Sequence, residues 1–218
     1  IDNNLPGSEL SIGTDTALNV IVEAMDKIKE SGIASRRCFV VETMGRDCGY
    51  LALMSGIAAG AERIYTNEDG ISLDDLANDV HWLRELFAHG RRLFLAVRNE
   101  NASHNYTTDF IARLLEEESH GMYDVRQVVL GHMQQGGSPS PFDRLLANRL
   151  GYRALNLIDD ELAAHQDGSW FIGVNESGMR PCSMDTMPSL IDAAHRRPRE
   201  QWWLQLRTIA RMVSDEVR

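Results

Sequence analysis

No stretch of this 218-residue chain offers the roughly 18 consecutive apolar residues that a membrane-spanning helix needs. No secretory leader opens it, so the sequence reads as neither membrane-spanning nor secreted, and the expected location is the cytoplasm. Cysteine is sparse. Cys38, Cys48 and Cys182 are an odd set of three with no CxxC pair, which excludes a disulfide scaffold and points to a reducing compartment. The seven histidines show no zinc-type spacing, so no structural metal is expected. Basic charge is in short supply, with 22 Lys and Arg against 32 Asp and Glu and a formal net charge of −10. Such a chain is a poor partner for nucleic acid or an anionic membrane, and an anionic ligand would need a local arginine cluster. Internal repeats, low-complexity tracts and long linkers are missing. What remains, 43% apolar and 25% charged residues, is the composition of a globular domain. The chain opens Ile1-Asp2-Asn3-Asn4, without methionine, and is expected to be a piece of something longer.

Hydrophobic spacing alternates between two periods. Leu18, Ile21, Val22, Met25 and Ile28 recur at helical spacing over 15–31. The run Cys38–Glu42 reads as a buried parallel strand. A small-residue helix over 51–61 and a strand at 63–66 follow. Ser72 is the expected cap for a helix to about 89. A strand at 93–97 precedes a helix over 106–119, capped by Thr107 or Thr108. A strand at 125–130 runs into the loop 131–140, and Ser140-Pro141 starts a helix to about 165. Trp170–Val174 reads as a last strand, before two helices near 188–195 and 199–216. This alternation predicts an α/β fold, a parallel sheet with helices on both faces.

In such sheets ligands bind beyond the carboxyl ends of the strands. There the sequence places Met44-Gly45-Arg46, Arg98-Asn99-Glu100 and Gly131-His132 with Gly136-Gly137. Arg37 and Arg126 lie at or near strand starts. Arginines that grip phosphate, a glutamate that accepts from hydroxyls and glycines that let backbone N–H groups approach an anion suit a sugar phosphate.

At these residues the sequence closely resembles 6-phosphofructokinase. The strings IDNNLPGSELSIGTDTAL (1–18), VVETMGRDCGYLAL (40–53) and VLGHMQQGGSPSPFDR (129–144) carry the resemblance. HRRPREQWWLQLR (195–207), with LAVRNE (95–100) and YTTDF (106–110), is similar to the regulatory half of the duplicated animal-type enzyme. The resemblance implies the Rossmann-like parallel-sheet fold of that family, with 1–218 as its sugar-phosphate-binding portion and the ATP-binding segment expected before residue 1. It also implies a cytoplasmic glycolytic kinase that is a homo-oligomer, a tetramer, and uses Mg²⁺ and ATP in the complete enzyme, with no cofactor expected in this piece.

Roles follow by position. Asp2 falls where the catalytic base takes the proton of the sugar's C1 hydroxyl, a contribution of roughly 10²–10⁴ in rate. Met44, Gly45, Arg46 and Glu100 match positions that hold the sugar, and Arg126 and His132 positions that grip its 6-phosphate. Arg37 matches an arginine that reaches a phosphate across a subunit interface, and Arg196 one that joins the phosphate cluster of regulatory halves. Two residues depart from the catalytic pattern: Gln135 stands where a phosphate-binding arginine is usual, and Asn4 replaces a carboxylate. Two others depart from the regulatory pattern: Asp2 replaces the usual serine, and Arg46 the frequent glycine. The resemblance therefore implies an effector site for fructose 2,6-bisphosphate, with Gln135 among its lining residues, or a catalytic fructose 6-phosphate site served by Asp2. It leaves ATP and pyrophosphate equally open as phosphoryl donor.

Overall fold

Residues 2–32 and 34–215 are described in a computed structural model. Their main elements are α1 (Thr14–Gly32), β1 (Arg37–Thr43), α2 (Tyr50–Ala59), β2 (Arg63–Tyr65), α3 (Leu73–Ala88), β3 (Leu93–Asn99), α4 (Thr108–Glu118), β4 (Asp124–Val129) and α5 (Pro141–Ala164). The four strands form one all-parallel sheet in the order β2-β3-β1-β4.

The period-2 pleat decides which helix covers which face. Phe39 and Val41 of β1, with Leu95 and Val97 of β3, pack against Ile21 and Met25 of α1 and Leu51 of α2. Their neighbours Cys38, Val40, Phe94 and Ala96 point the other way, onto Leu83 and Phe87 of α3 and Ile111 and Leu115 of α4. The two central strands are thus apolar on both faces, as their unbroken hydrophobic runs require. The expected α/β architecture is the observed one, and among the described residues no helix is long and apolar enough to cross a membrane.

Local capping sets the helix starts. Ser72 accepts from the Asp75 N–H, and the Asp75 carboxylate accepts from the Ser72 N–H in return. Of the two threonines expected to cap α4, Thr107 does so, accepting from the Phe110 N–H at 3.2 Å. Ser140 caps α5 at 3.2 Å from the Asp143 N–H, with Pro141 in the first turn.

The last fifty residues correct the sequence reading. Trp170–Val174 is a strand, β5 (Trp170–Asn175), yet it stays outside the parallel sheet and pairs antiparallel with β6 (Gly178–Ser183). The segment Gly178–Ser183 lacks an apolar alternation, and Pro181 argues against a central strand. A two-stranded ribbon consists only of edges, where proline is tolerated. The helix expected near 188–195 is one turn, α6 (Met187–Leu190). A minimal ribbon of β7 (Ile191–Asp192) and β8 (Arg197–Pro198) replaces the rest. The Asp192 carboxylate accepts from the Ala194 N–H at 3.2 Å and the His195 N–H at 3.3 Å, an Asx turn that competes with helix. The second helix starts later than expected. A 3₁₀ turn over Trp202–Leu206 leads into α7 (Arg207–Asp215), and the expected end at 216 lies outside the described residues. Trp203 is buried and Trp202 half exposed, both edge-on to Tyr50, so the pair packs the C-terminal segment against α2.

Candidate functional site

Topology singles out one crevice. From β1 the chain leaves into α2 on one face of the sheet, whereas from the adjacent β3 it leaves into α4 on the other. Parallel neighbours whose connections diverge in this way open a cleft at their carboxyl ends. Met44, Gly45 and Arg46 follow β1 there, and Glu100 follows β3. The Gly45 N–H donates to Glu100 Oε1 at 3.2 Å across the gap.

The turn after β1 is fastened by amide side chains. Asn99 Nδ2 donates to the Gly45 carbonyl at 2.5 Å. Asn67 Nδ2 and Asn101 Nδ2 both donate to the Arg46 carbonyl at 2.8 Å. Gly45 adopts φ +130, where a Cβ would collide with the Cys48 carbonyl and lie 2.7 Å from Asn99 Nδ2. Only glycine fits this backbone. The Arg46 side chain is left exposed.

The loop after β4 closes one side. Gln134, fully buried, accepts from the Met44 N–H at 3.2 Å and donates to the Gly131 carbonyl at 3.0 Å. This anchor leaves His132 and Gln135 exposed beside it, with Gln135 Nε2 3.6 Å from Met44 Sδ. The buried Gln134 was not singled out in the sequence, where nothing local separates its burial from the exposure of Gln135.

The opposite side is knitted from far along the chain. Arg196 Nη2 lies 3.0 Å from Asp47 Oδ1. Arg197 Nη1 reaches Asn67 Oδ1 at 3.3 Å and Glu68 Oε1 at 3.5 Å. Glu68 in turn accepts from the Gly49 N–H at 3.1 Å and from Gln201 Nε2 at 2.9 Å. Burial first, then the Glu68 carboxylate, pushes the Cys48 thiol up to about 12, with Asp2 adding to the rise. Asp2 stands beside the 44–49 turn, since the next carbonyl along, that of Asn3, lies 4.0 Å from Cys48 Sγ. Its neighbour Asn3 holds that position, donating to the Glu9 carbonyl at 2.8 Å and accepting from the Ser11 N–H at 2.8 Å.

Arg37 and Arg126 are not brought to this cleft. Arg37 opens β1 in register with Asp124, and Arg126 pairs with Phe39. At roughly 3.3 Å per residue, Arg37 lies on the order of 25 Å of strand away from Gly45. Arg126 donates to the Val125 carbonyl at 2.8 Å and sits 3.8 Å from Asp124 Oδ2. Arg37 Nε is buried without a partner.

The donor set does not fit a resident Mg²⁺. Asp2 is the one carboxylate of the Asp2-Asn3-Asn4 stretch. Among the described residues no three His, Cys, Asp or Glu side chains gather closely enough to hold a cation. The cleft can bind an anion and hydroxyl groups, with arginine, glutamate, histidine and backbone N–H groups at one rim.

A family model described as "Phosphofructokinase" matches residues 1–158. The chain is 43% identical over 216 residues to an ATP-dependent 6-phosphofructokinase of Dictyostelium discoideum, covering 98% of this chain and 26% of that protein. It is 43% identical over 225 residues to the muscle-type ATP-dependent 6-phosphofructokinase of Homo sapiens, covering 98% and 29%. The structure of phosphofructokinase from Saccharomyces cerevisiae superposes with a TM-score of 0.93 at 35% identity, over 99% of this chain and 30% of that one. The chain thus spans less than a third of the length of these relatives, and on sequence and fold alike it belongs to the phosphofructokinase family.

Proposed function

We propose that the chain is the sugar-phosphate-binding portion of a 6-phosphofructokinase, the enzyme that phosphorylates fructose 6-phosphate at the expense of ATP. We further propose that its own cleft is an effector site for fructose 2,6-bisphosphate. The observation that carries this reading is the Arg196–Asp47 pair at 3.0 Å, which puts a second arginine at the rim beside Arg46. A sugar with two phosphates needs two such cations, and Gln135 supplies none. Glu100 and the Gly45 backbone would take the hydroxyls, Met44 would pack against the ring, and Arg46, His132 and Arg196 would take phosphate oxygens. Calorimetry on the complete protein tests it: tight fructose 2,6-bisphosphate binding with weak fructose 6-phosphate binding supports the effector site, and the reverse order rejects it.

The position of Asp2 beside the 44–49 turn favours a second reading, the catalytic fructose 6-phosphate site, with Asp2 accepting the C1 hydroxyl proton. Asp2→Asn in the complete protein then lowers turnover by roughly 10²–10⁴ while folding is unchanged. Unchanged turnover rejects that reading.

Arg37 and Arg126, turned away from the cleft of their own chain, would serve a neighbouring copy. This supports a homo-oligomer, a tetramer in our reading, acting in the cytoplasm. ATP and its Mg²⁺ belong in this proposal to parts of the protein outside the chain.

A further inference from the structure

We propose that Asp47 is a specificity-determining residue of the cleft: its carboxylate competes with the second phosphate of a bisphosphorylated sugar for Arg196. This rests on the effector-site reading above and adds a term that works against the ligand.

The pair is unequal. The Asp47 side chain is 21% exposed and that of Arg196 is 68% exposed. Arg196 is free to turn on its long stem, whereas Asp47 is held. It directly follows the Arg46 carbonyl that Asn67 and Asn101 clamp, and precedes Cys48 and Gly49 at the start of α2. Arg196 sits in the turn between β7 and β8 at φ +52, a conformation that non-glycine residues seldom adopt. The pairing of Asp192 with Arg197 and the Asp192 carboxylate on the Ala194 and His195 N–H groups hold the turn, so the guanidinium is the part that chooses its partner.

Two ligands meet this device differently. A monophosphate engages Arg46 and the Gly45–Glu100 rim and leaves Arg196 on Asp47. A bisphosphate draws Arg196 onto its second phosphate. Asp47 then loses its cation while two negative phosphate oxygens arrive beside a half-buried carboxylate, and like charges at close range repel. The penalty falls on the bisphosphate alone. Asp47 therefore narrows the margin by which the cleft prefers two phosphates over one.

The test is calorimetry on the complete protein with fructose 2,6-bisphosphate and fructose 6-phosphate, for wild type, Asp47→Asn, Arg196→Gln and the double variant. The near-isosteric Asn keeps the turn, and a thermal melt checks that the variants fold. Asp47→Asn is expected to tighten bisphosphate binding about fivefold, the span of a partly exposed ion pair, and to change monophosphate binding by less than about twofold. Arg196→Gln is expected to weaken the bisphosphate, and in the double variant the Asn gain disappears. If Arg196→Gln weakens the bisphosphate but Asp47→Asn leaves it unchanged or weaker, the competition is wrong and the effector site stands. If Arg196→Gln leaves bisphosphate binding untouched, the underlying reading fails and the competition with it.

Discussion

Arg98 Nη1 lies 2.8 Å from Glu42 Oε2, joining the carboxyl ends of β3 and β1 directly beneath the cleft. Arg98 is 1% exposed. It also donates to the Glu100 carbonyl at 3.0 Å, the Ser103 carbonyl at 2.6 Å and the Tyr106 carbonyl at 3.2 Å. The loop carrying Glu100 is thus wrapped around one guanidinium. Burial pushes that group below the usual arginine value while Glu42 opposes the shift. Arg98→Met should leave Glu42 without its cation and cost about 3–5 kcal/mol, as breaking one side of a buried pair does. The urea midpoint reads this directly. Adding Glu42→Gln should recover part of the loss, and a single-variant loss below about 1 kcal/mol rejects the account.

Asp143 supports the fold from a distance. It is 2% exposed, and its carboxylate accepts from the Gly13 N–H at 2.9 Å, the Thr16 N–H at 2.8 Å and the Thr16 hydroxyl at 2.5 Å. The first turn of α1 is therefore capped by a residue of α5. Asp143→Ala should cost about 2–3 kcal/mol, a lost cap plus orphaned buried donors. For a chain of this length that is a fall of about 5–10 °C in Tm. Asp143→Asn keeps an acceptor and should lose less, whereas equal losses for the two variants argue for packing instead.

The sheet was legible because its signals are local. The runs Cys38–Val41 and Leu93–Val97 announce buried strands, and Ser72, Thr107 and Ser140 announce helix starts within three residues of the groups they cap. Met44, Gly45 and Glu100 followed from one further rule, that ligands sit beyond strand ends. What fastens them did not follow. Asn67, Asn101 and Gln134 bond backbone groups whose positions exist only once the sheet is assembled. The Asp47–Arg196 contact spans 149 residues, beyond any local pattern. Strand β6 stayed hidden because Pro181 and the lack of apolar alternation mask it, and pairing with β5, not hydrophobic period, makes it a strand.

Gly45 offers a test of the cleft's geometry. At φ +130 with the Cys48 carbonyl in the way of a Cβ, Gly45→Ala must move the turn. The strain should cost about 1–3 kcal/mol. It should also break the hydrogen bonds to Glu100 and Asn99, so sugar-phosphate affinity falls by more than about tenfold. Gly60→Ala is the control: its φ is +67, yet no atom lies within 4 Å of the added Cβ. It should cost about 1 kcal/mol and leave affinity unchanged. Matching affinity losses in the two variants would mean that the turn is not a binding element.

Of the three cysteines, Cys48 reports on the same turn. Cys38 and Cys48 are fully buried and Cys182 is partly exposed. A thiol reagent near pH 8 should therefore modify one cysteine rapidly in the native chain, and the other two only after denaturation. The direction of the linkage is fixed by the raised values. Burial first, with Glu68 next, lifts Cys48 from 9.0 to about 12, and burial lifts Tyr50 from 10.0 to about 12. The unfolded chain thus releases these protons earlier than the folded one. Their contribution to stability is complete below pH 9.0 for Cys48 and is lost as the pH climbs toward about 12. Cys48→Ala removes one of the two groups, so its urea midpoint should decline less steeply over that alkaline range than the wild type's, after allowing for its lower starting stability. Parallel declines would show that the Cys48 thiol does not titrate with folding.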